Sequence, residues 1–97
     1  MRVKINTYGT IHQVVGWGTK EVEFDKTKLT IKDILNSIVL ANGSTIFNLI
    51  ADKDSIKKEY IILLNGIPLW DSKSLEKEIS DNVDITTMDI LYPVGGG

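Results

Sequence analysis

The chain has no cysteine among its 97 residues. It therefore holds no disulfide, no thiolate nucleophile and no iron–sulfur ligand set, and any thiol chemistry it joins must belong to a partner. Histidine occurs once, as His12, with no carboxylate or cysteine close in sequence; such a residue reads as a surface side chain rather than a catalyst or metal ligand. An excess of one charge is also missing. A net charge of −2 and a pI near 5.3 offer no general attraction for phosphate backbones or anionic lipid, which argues against direct nucleic-acid and membrane partners. No apolar run approaches membrane-spanning length, and Met1-Arg2-Val3-Lys4-Ile5 alternates instead of forming a signal peptide's apolar block; the expected location is cytoplasmic. In that setting the sequon Asn42-Gly43-Ser44 is a chance match. The sequence shows no nucleophile and base pair, no metal-ligand cluster and no phosphate loop, and its scattered aspartates lack cation-loop spacing.

What is present is an ordinary globular composition, 42% hydrophobic and 25% charged, in a length that suits one domain with one core. The expected division is a folded domain over residues 1–92 and a flexible glycine tail over 93–97. Period-two alternation over Arg2–Tyr8 puts Val3, Ile5 and Thr7 on one face of a strand. A connection bracketed by Gly9, Gly16 and Gly18 follows, in which Ile11, Val14 and Val15 suit one helical turn and Trp17 anchors the loop. Lys20–Phe24 alternates again and suits an antiparallel partner for the first strand. Thr30-Ile31-Lys32-Asp33 fits a capping box, and Ile31, Ile34, Leu35, Ile38 and Val39 form the apolar stripe of the main helix, with Gly43 placed to end it.

Ser44–Ile50 suits a second short helix, and the mixed charges of Ala51–Glu59 a solvated loop. Tyr60–Leu64 is an unbroken apolar strand followed by Asn65-Gly66, a strong hairpin signal, and by Ile67-Pro68-Leu69-Trp70, which Pro68 assigns to a sheet edge. Leu75–Ile79 suits one short turn of helix, Asp81–Asp84 a turn, and Ile85–Leu91 a last strand. With the helix over one face of the sheet, alternation places Ile62, Leu64, Met88 and Ile90 beneath it. Ile61, Leu63 and Leu91 then fall on the opposite face, an exposed apolar cluster that, with Tyr92, is a candidate partner-binding surface.

The sequence closes with Tyr92-Pro93-Val94-Gly95-Gly96-Gly97. Pro93 lacks an N–H and stops the preceding strand from continuing. Glycines without Cβ can enter a slot too narrow for side chains, and the four residues after Pro93 reach roughly 13 Å at about 3.3 Å each. Pro93, Val94, Gly95 and Gly96 are thus candidates for threading, and the Gly97 carboxylate is the candidate reactive group. The plain alternative is a frayed terminus.

These residues carry a resemblance. Tyr8-Gly9-Thr10-Ile11-His12-Gln13-Val14-Val15-Gly16, Leu29-Thr30-Ile31, Leu64-Asn65-Gly66 and the closing Pro93-Val94-Gly95-Gly96-Gly97 together resemble the β-grasp, ubiquitin-like sulfur carriers. Within these, the similarity is to the molybdopterin synthase small subunit and its archaeal modifier relatives. The resemblance implies an α+β, ubiquitin-like β-grasp fold, a mixed sheet of about five strands with one main helix across it. There are departures: His12-Gln13 stand where Arg-Glu is frequent, Tyr92 stands for the first proline of Pro-Pro-Val-x-Gly-Gly, and Asp81-Asn82-Val83-Asp84 stands for Asp-Gly-Asp. The long stretch between helix and hairpin argues against the shorter thiamin sulfur carrier.

The resemblance further implies that the chain is not an enzyme but the substrate of an E1-like adenylyltransferase. That partner uses ATP and Mg²⁺ to adenylate Gly97, after which a thiocarboxylate forms and supplies sulfur for molybdopterin, the molybdenum cofactor precursor. The molybdopterin synthase large subunit is then a partner. Two alternatives stay open: a protein modifier joined through Gly97 to target-protein lysines, with or without sulfur donation to tRNA, and a non-catalytic binding module.

Overall fold

Strand β1 (Arg2–Gly9) forms where the alternation is clearest, and Val3, Ile5 and Thr7 are all buried, as expected. The computed structural model describes residues 1–53, 55–69, 72–80 and 85–92. Gly9 leads into helix α1 (Thr10–Val15), which Gly16 ends in the left-handed region at φ 86° while its N–H donates to the His12 carbonyl; a residue with Cβ would be strained there. Strand β2 (Thr19–Glu23) returns antiparallel, from Asn6 opposite Thr19 to Arg2 opposite Glu23. Trp17 anchors the turn, its carbonyl accepting a hydrogen bond from the Thr7 hydroxyl.

Strand β3 (Lys28–Thr30) runs directly into helix α2 (Ile31–Ser37). The capping box is formed: Asp33 N–H donates to Thr30 Oγ1 at 3.0 Å and Thr30 N–H donates to Asp33 Oδ2 at 3.1 Å. Thr45 caps helix α3 (Ile46–Ile50). Strands β4 (Ala51–Asp52) and β5 (Ser55–Ile56) make a small hairpin. Strands β6 (Ile61–Leu64) and β7 (Ile67–Pro68) follow, joined through Asn65 and Gly66 at φ 50° and 85°, the two positive values a tight primed turn requires. A 3-10 turn (Ser72–Glu76), strand β8 (Glu78–Ser80) and strand β9 (Thr86–Tyr92) complete the described chain.

The main sheet has five strands in the order β2-β1-β9-β6-β7. β1 and β9 are parallel, Val3 opposite Thr86 through Gly9 opposite Tyr92, and the remaining pairs are antiparallel. Pro68 lies on the edge strand, where its missing N–H leaves no ladder bond unmade. The core lies between this sheet and the helical layer. Val3, Ile5, Ile62, Met88 and Ile90 from the sheet meet Ile31, Ile34, Leu35, Ile46 and Ile50 from the helices, all fully buried; each such side chain contributes about 1.5–3 kcal/mol by burial.

Three local expectations change. The main helix stops at Ser37. Ile38 is buried but extended, and Val39 is 61% exposed and bridges to Thr45, so it leaves the stripe, and Gly43 belongs to a turn instead of a helix end. Two β-branched residues in succession favour the extended backbone. The Ser37 hydroxyl donates to the Ile34 carbonyl at 2.7 Å, and the Ile38 carbonyl is taken by the Ile46 N–H at 3.0 Å. Ile79 is not in a helical turn but in β8, opposite Leu29 of β3. Ala51–Glu59 keeps Asp52, Lys53, Lys58 and Glu59 exposed yet contains β4 and β5, with Ala51 buried and Ile56 packed on the core. The expected turn at Asp81–Asp84, the strand end at Trp70 and the tail Pro93–Gly97 lie outside the described residues.

The capping box generates a pH prediction. Hydrogen bonds from the Thr30 backbone N–H, and next from its hydroxyl, hold the Asp33 carboxyl below its ordinary value of 3.8. A carboxylate with a lowered folded value adds stability above its unfolded value and loses it as pH falls through the folded one. Thr30→Ala should cost about 1 kcal/mol in urea unfolding at neutral pH. Asp33→Asn should cost less, because the carboxylate is solvent-exposed and screened, and its deficit relative to wild type should shrink as pH drops below 3.8; a deficit constant with pH would show that the ionised box contributes nothing.

Candidate functional site

The sheet face turned away from the helices carries the candidate surface. In β6, Ile62 and Leu64 are buried while Ile61 and Leu63 are half-buried; in β9, Thr86, Met88 and Ile90 are buried while Leu91 is half-buried. Successive side chains in a strand point to opposite faces, so Ile61, Leu63 and Leu91 share the outer face, as expected. The registers align them further. Ile61 lies opposite Leu91, and Leu91 lies opposite Tyr8, which gives a row Tyr8–Leu91–Ile61 across three strands. The adjoining row is Asn6–Asp89–Leu63–Pro68.

Polar bonds border this apolar row. Thr19 Oγ1 donates to Asn6 Oδ1 at 2.9 Å, Asn6 Nδ2 donates to Asp89 Oδ1 at 2.8 Å, and the Tyr8 hydroxyl donates to the same Asp89 oxygen at 3.5 Å. Tyr8 is 48% exposed and thereby adds a ring to the surface. Sequence reasoning missed it as a site residue. Period two alone placed Tyr8 on the outer face of β1, but only the parallel pairing with β9 puts it beside Leu91.

Tyr92 falls elsewhere. Its parity is that of Ile90, it packs against the core side, and its ring meets that of Tyr60 edge-on, with centroids 5.1 Å apart and planes at 65°. The structure thus brings Ile61, Leu63 and Leu91 together and separates Tyr92 from them. Burial, then the charge of Glu59 and then Tyr92, push the Tyr60 phenol above its ordinary value. Pro93, Val94, Gly95, Gly96 and Gly97 lie outside the described residues, but their point of departure, Tyr92, is fixed next to the apolar row. His12 is exposed on α1. On the helical side, an open groove of about 380 Å³ is lined by Val14, Leu40 and Leu49 and by polar but non-ionisable Asn42, Ser44 and Asn48.

No protein-family model and no curated protein sequence matches the chain. Solved structures do. SAMP1 from Haloferax volcanii matches at 18% identity and a TM-score of 0.69, with 100% of each chain covered. The small archaeal modifier protein 1 (SAMP1) from Methanosarcina acetivorans matches at 22% identity and 0.65, over 99% of this chain and 96% of that one. A protein of Pyrococcus furiosus described as molybdopterin converting factor, subunit 1, matches at 17% identity and 0.66, over 97% and 99%. The chain is a β-grasp domain. The likeness spans the whole domain, so the central β9 and the half-exposed outer face are parts of this β-grasp and not additions to it.

The face assignment can be checked by stability alone. Ile62→Ala, which opens a cavity in the β-grasp core, should cost about 2–5 kcal/mol in urea unfolding. Leu63→Arg and Leu91→Arg, whose long side chains can lie along the outer face, should each cost less than about 1 kcal/mol. A loss for Leu63→Arg as large as that for Ile62→Ala would reverse the two faces.

Proposed function

We propose that this β-grasp domain is a ubiquitin-like sulfur carrier whose reactive group is the Gly97 carboxylate. The observation that supports it most is the placing of the half-exposed apolar row Tyr8–Leu91–Ile61 at the end of β9, the strand from which Pro93–Gly97 continues. An apolar surface beside the root of a glycine tail suits a partner that docks the body and receives the tail. The fold shared with a protein described as molybdopterin converting factor, subunit 1, supports sulfur delivery to a pterin precursor, with a synthase large subunit as receiving partner.

A free carboxylate is a poor electrophile. An E1-like adenylyltransferase would overcome this with ATP and Mg²⁺: a Gly97 carboxylate oxygen attacks the α-phosphorus, pyrophosphate leaves, and the acyl adenylate carries AMP as its leaving group. A hydrosulfide-level sulfur nucleophile supplied by partner chemistry then attacks the Gly97 acyl carbon, the C–O bond to AMP breaks, and a thiocarboxylate remains on Gly97. The chain contributes no sulfur of its own by this route, having no cysteine. Its part is to present the tail. The shared fold of two small archaeal modifier proteins favours a second reading on the same activated intermediate, in which a lysine amine of a target protein displaces AMP and an isopeptide bond forms.

Mass spectrometry of the protein recovered from the cells that make it tests both readings. One oxygen exchanged for sulfur at Gly97 is the expected result for the carrier; remnants of the tail on lysines of other proteins are the result for the modifier. A carboxylate left free under all growth conditions, with no conjugates, would overturn both. Deleting Gly97, or adding one residue after it, should abolish conversion. Gly96→Ala should lower conversion at least tenfold, since a Cβ both narrows the fit and restricts the backbone, while the melting temperature moves by less than about 2 °C.

A further inference from the structure

We propose that Tyr60 is a positioning residue for the tail, clasping Tyr92 so that β9 holds its last residue and the tail departs from a fixed root. This rests on the reading of Gly97 as the reactive end. The geometry of β9 carries it. On one side the ladder to β6 stops at Leu91 opposite Ile61, one residue short of Tyr92. On the other side Tyr92 lies opposite Gly9, which has no side chain to pack against it. Strand ends supported this weakly open readily. The Tyr92 side chain packs on the edge of the core and meets the Tyr60 ring edge-on at 5.1 Å, an arrangement favoured by the ring quadrupoles.

Tyr60 is itself well anchored. Its backbone N–H donates to the Lys57 carbonyl at 3.1 Å, and Lys57 N–H donates to the Ile50 carbonyl at 2.8 Å, where α3 ends on a fully buried side chain. The clasp therefore ties the last strand residue to the helical layer as well as to the sheet. Its value follows from distance. Fraying by one residue moves the root by about 3.3 Å, a sizeable part of the roughly 13 Å that the four residues after Pro93 can span.

Two readouts on the full chain decide this. Amide hydrogen exchange followed by NMR reads the clasp itself. Tyr60→Ala and Tyr92→Ala should each speed exchange at Leu91 and Tyr92 about two- to tenfold, the range a single aromatic pair supports, and leave Met88 unchanged. Tyr60→Phe, which keeps the ring edge, should match wild type. Conversion of Gly97 in an ATP-supplied extract of the source cells reads the purpose. It should fall in Tyr60→Ala and be retained in Tyr60→Phe. Unchanged exchange at Leu91 and Tyr92 in Tyr60→Ala overturns the clasp, as does exchange raised equally at Met88, which would mark general destabilisation. Faster exchange with undiminished conversion overturns the positioning role. If wild type itself is never converted, the function proposed above fails and the positioning role fails with it, while the exchange result still reports whether the two rings hold the strand end.

Discussion

The pairing of β1 with β9 is the constraint on which the rest of this structure depends. Ile5 and Met88, eighty-three residues apart in sequence, lie opposite each other at the centre of the sheet. Until β9 is inserted, β1 and β6 have no neighbour on their inner edges, and the apolar side chains of the sheet have no continuous surface to offer the helices. The pairing is parallel and spans nearly the whole chain, so it carries the largest loop-closure cost in the fold and belongs with contacts that form slowly. Its return is that the final strand becomes an inner strand, with a partner on each side along most of its length. A tail attached to such a strand is attached to the sheet's interior. Force or torque on it acts first on the single pairing of Tyr92 with Gly9 and, from Leu91 inward, against two ladders.

The same pairing explains what could and could not be seen in the sequence. β1, β2, β6, the Asn65-Gly66 turn and β9 are legible because each announces itself locally, by period two, by an apolar run next to a turn, or by turn chemistry. The capping box of Thr30 and Asp33 is legible for the same reason. β8 is not, since Glu78-Ile79-Ser80 is a strand only through β3, and a three-residue ladder leaves no local signature. The stripe through Val39 misleads because 3.6-residue spacing continues past the point where Ser37 and the β-branched Ile38-Val39 end the helix. Tyr8 and Tyr60 stay hidden as candidates because what singles them out is their pairing with Leu91 and Tyr92. Grouping Tyr92 with Leu91 is a different kind of error: adjacent residues of one strand cannot share a face, and the rule that placed Ile61 and Leu63 outward would have placed Tyr92 inward.

That parity gives the two last residues of β9 opposite duties. Leu91 points out, joins Tyr8 and Ile61, and is available to a partner; Tyr92 points in and meets Tyr60. If the proposed function holds, recognition and anchorage would fall to neighbouring residues without competing for one face. The outer face imposes a condition of its own. Asp89 stands beside the apolar row, held by Asn6 and Tyr8, and burial of a carboxylate is tolerated only while its hydrogen bonds persist or are replaced. A surface that covered Leu91 and Ile61 with apolar groups alone, and displaced the Tyr8 ring in doing so, would strip one of those donors and face the full desolvation cost of the charge. A partner that leaves Tyr8 in place, or brings a donor to Asp89, avoids it. On the function proposed above, the carboxylate beside the row would favour partners that leave Tyr8 in place or bring a donor of their own, and Tyr8, apolar in its ring and polar at its tip, would be the residue that senses the difference.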